Sequence, residues 1–133
     1  VSYKANIPVR FRDLDKLGHV NNAVYATYLG EASSQYYDAV VGGTSAHQET
    51  PLVHLEIDYR CPIEGTDEVE VRVSVTDLGN TSITMEYEIY TEATLAATGR
   101  TVQVLFDSES ESTVSVPDRW HESITRFEDA DLK

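Results

Sequence analysis

Between Asp13 and Tyr25 the chain reads D-L-D-K-L-G-H-V-N-N-A-V-Y, which puts two carboxylates, an imidazole and two side-chain amides into thirteen positions. A carboxylate here can attack an acyl carbonyl as a nucleophile or take a proton from water as a general base. His19, four residues after Asp15, can orient that carboxylate, pass a proton to a leaving group or polarise a carbonyl. Asn21 and Asn22 are good helix caps by type. The competing reading of Asp15 is a turn or capping residue. Asp13 is expected to pair with Arg10 or Arg12 at a strand end, and Gly18 to supply a positive φ or a close backbone approach.

The flanking elements must position this cluster. Upstream, Tyr3 to Arg12 has strand-like residues. Downstream, Tyr25, Tyr28, Leu29, Ala32, Tyr36, Ala39 and Val40 fall on one helical face, predicting a helix over Asn22 to Val41. At ~1.5 Å per residue it is roughly 28 Å long. Asn21 or Asn22 supplies its N-cap and Gly42-Gly43 its left-handed stop. The cluster therefore sits in a strand-to-helix loop ending at a helix N-terminus, where unpaired N–H groups and the macrodipole favour negative charge. Amides near Asn22 and Ala23 are placed to receive the oxygen of a carbonyl turning tetrahedral.

The remainder reads as strands. After a polar loop over Thr44 to Thr50, Pro51 to Pro62 alternates Val53, Leu55, Ile57 and Tyr59 inward with His54, Glu56, Asp58 and Arg60 outward. Glu68 to Asp77 alternates Val69, Val71, Val73 and Val75 inward, and a Gly79-Asn80 turn leads to Thr81 to Thr91 with Ile83, Met85, Tyr87 and Ile89 on one face. A short link at Glu92 to Thr94 requires the last strand, about Leu95 to Asp107, to return antiparallel. Asp107 to Ser115 reads as a solvated linker. Pro117 then opens a short helix carrying Trp120, Ile124 and Phe127, and Asp129 to Lys133 is expected to fray. Strand, helix and four more strands predict an α+β domain with an antiparallel five-stranded sheet curled around one long helix. Residues 1–133 are expected to form one domain, with its core at about 3–107 and the linker and C-terminal helix at 108–128.

With 23 acidic residues against 10 basic, the net charge is −13, which repels nucleic acid and anionic membranes. Acidity spread along the chain, with Lys4, Lys16 and Lys133 its only lysines, matches the surface chemistry of a salt-in halophile; the alternative is an ordinary acidic protein. No apolar run is long enough to span a membrane. The start, V-S-Y-K-A-N-I, lacks a secretory pattern, and the single cysteine, Cys61, allows no internal disulfide. A reducing cytoplasm fits these features. His54, Glu56 and Asp58 share a strand face, but strand exteriors are polar by default, and neither a metal nor a cofactor is expected.

The element order, with D-x-D-x-x-G-H-V-N-N-x-x-Y at the strand-to-helix junction, resembles the hotdog-fold thioesterases, in the branch of the 4-hydroxybenzoyl-CoA and acyl-carrier-protein thioesterases. The resemblance runs from about Tyr3 to Asp107, and Gly99 to Asp107, G-R-T-V-Q-V-L-F-D, is similar to that family's last strand. It implies an acyl-coenzyme A thioesterase with Asp15 as the catalytic carboxylate, assisted by His19 and Asn22. Asn21, Tyr25, His54, Glu56 and Arg60 are the implied substrate-binding residues, with His54 and Glu56 bordering the site of a partner subunit. Arg60, Arg100 and Lys16 are candidates for the coenzyme A phosphates. A homodimer or homotetramer is implied, because hotdog sites form between subunits. The alternatives are a non-catalytic acyl-coenzyme A-binding module, which would have lost Asp15, and a hydratase, whose Asp and His stand five apart rather than four.

Overall fold

The computed structural model describes residues 2–42, 48–65 and 68–128. In chain order its elements are β1 (Tyr3–Pro8), α1 (Val24–Val40), β2 (Gln48–Glu49), β3 (Leu52–Tyr59), β4 (Glu68–Leu78), β5 (Ser82–Thr91), β6 (Thr94–Val104), β7 (Phe106–Asp107), β8 (Ser112–Thr113) and α2 (Asp118–Glu128). The five long strands form one antiparallel sheet in the order β1-β4-β5-β6-β3. This is the hotdog arrangement, with α1 lying on one face of the sheet.

Strand alternation builds that face. Val69, Val71, Val73 and Val75 of β4 and Ile83, Met85, Tyr87 and Ile89 of β5 are all buried, as their spacing predicts. Gly99 of β6 lets the helix approach: a Cβ there would stand 2.8 Å from Leu29 Cδ1 and 3.3 Å from the Glu56 carbonyl oxygen. Helix α1 buries Tyr25, Tyr28, Leu29, Ala32 and Tyr36 as expected. Its last turns differ. Ser33 and Tyr37 are buried and Ala39 is exposed, because Tyr37 donates to Gln103 and packs against Trp120 of α2 at 5.5 Å. Gly42, at φ +78°, provides the expected left-handed stop.

Several expectations need correction. The first strand ends at Pro8, and Phe11–Asp13 form a 3-10 turn instead of continuing it. Strand β3 is an edge of the sheet, so most of its expected inward residues are left uncovered: Leu52, Val53, Leu55 and Tyr59 are all well exposed, while Ile57 packs partly buried against the core. A bulge between Leu52 and His54 also breaks the predicted alternation, bringing Leu52 rather than Val53 beside Leu55. The segment read as a solvated linker is partly paired, with β8 returning on β7 and β2 completing a second, three-stranded sheet. The expected loop residues Thr44 to His47, and the expected fraying of Asp129 to Lys133, lie outside the described residues.

Helix α2 forms as predicted and docks on the domain. Trp120 and Ile124 are fully buried, and Phe127 meets the Tyr36 ring edge-on at 5.5 Å. Two of its polar side chains secure it. Glu128 accepts hydrogen bonds from the Tyr36 hydroxyl (2.6 Å) and from the Val75 amide (2.9 Å), which lies where a bulge interrupts the β4–β5 ladder. Arg119 Nη1 donates to the Val41 carbonyl (2.9 Å) at the C-terminus of α1, where a cation is favoured. Among the described residues no helix is long and apolar enough to cross a membrane.

Candidate active site

The loop between β1 and α1 folds back on itself. Asp15 N–H donates to the His19 carbonyl (2.7 Å), Asn21 N–H to the Asp13 carbonyl (2.8 Å), and Leu14 bridges Val20. Gly18, at φ +80°, makes the reversal, a backbone conformation that other residues adopt only under strain. The loop is tied to the sheet side by Val20 N–H donating to the Ile63 carbonyl (2.7 Å) and by a bridge between His19 and Glu64.

The two aspartates of this loop have opposite environments. Asp13 is only 1% exposed and accepts four hydrogen bonds, from the Arg10 amide, Arg10 Nε and Nη2, and the Tyr28 hydroxyl. Burial alone would raise its pKa, but these donors together outweigh that and hold the carboxyl below its ordinary value of 3.8. Burial, reinforced by the adjoining Asp13 carboxylate, pushes the Tyr28 hydroxyl well above its usual range. The expected pairing with Arg10 is therefore observed.

Asp15 is exposed. Its Oδ1 accepts from the amides of Leu17 (2.8 Å) and His19 (3.1 Å), while Oδ2 has no partner among the described residues. It is thus a turn residue by one oxygen and an unengaged carboxylate by the other. His19 is half-buried beside it. Two large apolar side chains flank the loop in water, Phe11 at 92% and Leu17 at 78% exposure.

The cap position of α1 is Ala23, without a side-chain cap bond, instead of the expected Asn21 or Asn22; Asn21 closes the turn just ahead of it, its Oδ1 accepting the Ala23 amide (2.9 Å) and its carbonyl the Val24 amide (2.9 Å). The Ala23 amide, expected to face a developing oxyanion, is therefore engaged, whereas Asn22 N–H has no acceptor in hydrogen-bonding geometry among the described residues. Tyr25 is buried beneath the ring of Tyr59, edge-on at 4.8 Å. The Tyr59 hydroxyl donates to the Asn22 carbonyl (2.8 Å). Sequence reasoning placed Tyr59 only on the inward face of a strand; its link to Asn22 spans 37 residues and leaves no local signal.

Beyond this point a largely apolar cleft of about 270 Å³ runs between α1 and the edge strand, with Ala26, Leu29, Gly30, Leu52 and Leu55 among its walls. His54 and Glu56 are not brought to it. They stand on the face turned away from α1, where His54 Nε2 meets Glu56 Oε2 at 2.8 Å and Arg100 Nη1 donates to the same oxygen at 3.1 Å. These partners, His54 first, hold the Glu56 carboxyl below its usual range. His54 lies five residues, roughly 17 Å, along the strand from Tyr59. A groove of about 520 Å³ on that same face is larger, but its walls are polar and include no residue of the Asp15 loop. Arg60, just past β3, and Lys16, in the loop, are exposed.

The chain's relatives carry the same fold. It is similar to a thioesterase from Thermus thermophilus solved in complex with coenzyme A and zinc, with 33% identity, coverage of 97% of this chain and 96% of that one, and a TM-score of 0.84. It is also similar to the 1,4-dihydroxy-2-naphthoyl-CoA hydrolase of Synechococcus elongatus, 24% identical over 88% of this chain and 90% of that protein. The DHNA-CoA thioesterase of Staphylococcus aureus shares the fold at 23% identity, with coverage of 96% and 91% and a TM-score of 0.85. The family model of the thioesterase-like superfamily matches residues 9–124, from the turn ahead of the Asp15 loop into α2. With that match spanning the loop and four of the five strands of the main sheet, the chain belongs to the thioesterase-like superfamily and is a thioester hydrolase of hotdog fold.

Proposed function

We propose that this chain hydrolyses an acyl-coenzyme A to the free acid and coenzyme A, with Asp15 as its catalytic carboxylate. The observation that carries the reading is the Asp15 side chain itself, anchored through Oδ1 by two amides and presenting an Oδ2 with no partner among the described residues. As a nucleophile, Oδ2 adds to the thioester carbon, the C–S bond breaks, and water then cleaves the resulting anhydride. As a general base, it takes a proton from the water that attacks. In both routes the leaving thiolate ends protonated, a step that suits the neighbouring His19, and the carbonyl oxygen gains charge near the Asn22 amide at the start of α1.

The acyl group fits the apolar cleft between α1 and β3, and exposed Lys16 and Arg60 suit the phosphates of coenzyme A. Arg100 is less suited, being paired with Glu56. A second copy of the chain completes the assembly. An eight-residue open edge carrying exposed Leu52, Val53, Leu55 and Tyr59 favours pairing along β3 into a homodimer, or a homotetramer built from it. The charge of −13 favours operation at molar salt.

Thiol release from acyl-coenzyme A thioesters of several chain lengths, measured at molar salt with Asp15→Asn beside wild type, tests the assignment. Wild type releases thiol and the variant loses about 10²-fold or more. Equal rates would remove Asp15 from the reaction, and a fully active monomer in sedimentation would remove the second copy.

A further inference from the structure

We infer that Tyr59 is a positioning residue that aims the Asn22 amide at the start of α1; the inference rests on the proposed use of that amide as an oxyanion donor. Tyr59 ends the edge strand and is 49% exposed, yet its hydroxyl is committed to the Asn22 carbonyl at 2.8 Å instead of to solvent. Its ring lies edge-on to buried Tyr25 at 4.8 Å, which fixes the direction of the hydroxyl.

The bond acts on a backbone already held elsewhere. A peptide group is planar, so fixing its carbonyl and its N–H fixes the whole unit. In the Asn22–Ala23 peptide, Tyr59 holds the carbonyl and Asn21 Oδ1 holds the N–H at 2.9 Å. In the Asn21–Asn22 peptide, which carries the Asn22 N–H, the carbonyl accepts from the Val24 amide at 2.9 Å. Both peptides that meet at Asn22 are therefore oriented. Of these contacts, Tyr59 makes the one that does not come from the turn itself. Without it the Asn22–Ala23 peptide can tilt, and the donor before it loses the fixed aim on which oxyanion stabilisation depends.

Tyr59 touches no reacting atom in this scheme, so its loss should lower kcat and leave KM almost unchanged. Tyr59→Phe keeps the ring over Tyr25 and removes only the donor. With butanoyl-, octanoyl- and benzoyl-coenzyme A as probes, Tyr59→Phe is expected to reduce kcat about tenfold on the best of them, less than outright loss of an oxyanion donor. KM should stay within about twofold and the pH profile should be unmoved. The Ala23 amide, followed by hydrogen exchange, should exchange about tenfold faster than in wild type, while amides in β4 and β5 keep their protection. A kcat within about twofold of wild type, or a drop in kcat matched by a rise in KM, would overturn the role. If wild type releases thiol from none of the probes, the thioester reading itself fails, and unchanged Ala23 exchange in Tyr59→Phe would then overturn the clamp independently.

Discussion

The Tyr28 hydroxyl, from the second turn of α1, donates to Asp13 Oδ2 at 2.9 Å, and this bond ties the central helix to the loop that carries Asp15. One residue, Leu14, separates a carboxylate that holds the loop from one whose Oδ2 has no partner among the described residues. Asp13→Ala strands the buried Tyr28 hydroxyl and the Arg10 donors, and should lower the unfolding free energy by about 2–4 kcal/mol in denaturant titration. Asp15→Asn should change stability by less than about 1 kcal/mol while removing thiol release. The acid limb follows from the same site. Because the folded pKa of Asp13 lies below 3.8, its contribution is complete above that value and fades as pH falls through the depressed folded pKa. Asp13→Asn should flatten stability against pH in that window.

Glu128 gives a second, independent test. Its carboxylate satisfies the Tyr36 hydroxyl and the Val75 amide at a strand bulge, so Glu128→Ala leaves both without a partner. A loss of about 2–4 kcal/mol is expected, against about 1 kcal/mol for Tyr36→Phe, which removes only the donor. Thermal melts will separate the two, and the folded fraction of each variant should keep wild-type kcat because neither residue lines the Asp15 loop.

At Gly99 packing and specificity meet. A methyl group there must displace the tip of Leu29, which also walls the apolar cleft, and crowds the Glu56 carbonyl of the edge strand. Gly99→Ala should destabilise by about 1–2 kcal/mol. It should also narrow the cleft, so KM rises more for long acyl chains than for short ones. A uniform change across chain lengths would detach the cleft from acyl binding.

Salt should raise catalytic efficiency. An anionic thioester approaching a surface of charge −13 meets repulsion that shrinks as the screening length falls from about 8 Å at physiological ionic strength to about 3 Å at 1 M. The gain should appear in kcat/KM more than in kcat. Efficiency that falls with salt while the far-ultraviolet spectrum holds would contradict this.

Periodicity made the long helix, the central strands and α2 legible, because each buries one face over many residues and so leaves a repeating pattern. The loop with Asp15 was legible for a different reason, the density of reactive side chains ahead of that helix. Strand β3 was misjudged in burial because alternation reports which residues share a face, not whether anything covers it. The pairs Phe106–Asp107 and Ser112–Thr113 are too short to show a period, so the segment between them read as solvent-facing linker. Tyr59 on Asn22 and Glu128 on Val75 are single bonds across 37 and 53 residues, and no window along the chain contains both ends. Ala23 was misassigned because the side chain of Asn21 turns back on its own helix start, a choice of rotamer rather than of residue type.

The sole tryptophan, Trp120, lies wholly buried against Tyr37 where α2 seats on the domain, while the reactive loop has none. The molecule therefore carries an intrinsic fluorophore that responds to the seating of α2 and is silent to events around Asp15. Its emission should be blue-shifted in the native state and move to the red when the helix lifts. In one cuvette, light from Trp120 can follow unfolding while absorbance follows released thiol, so a variant that has lost its chemistry is told apart from one that has lost its shape.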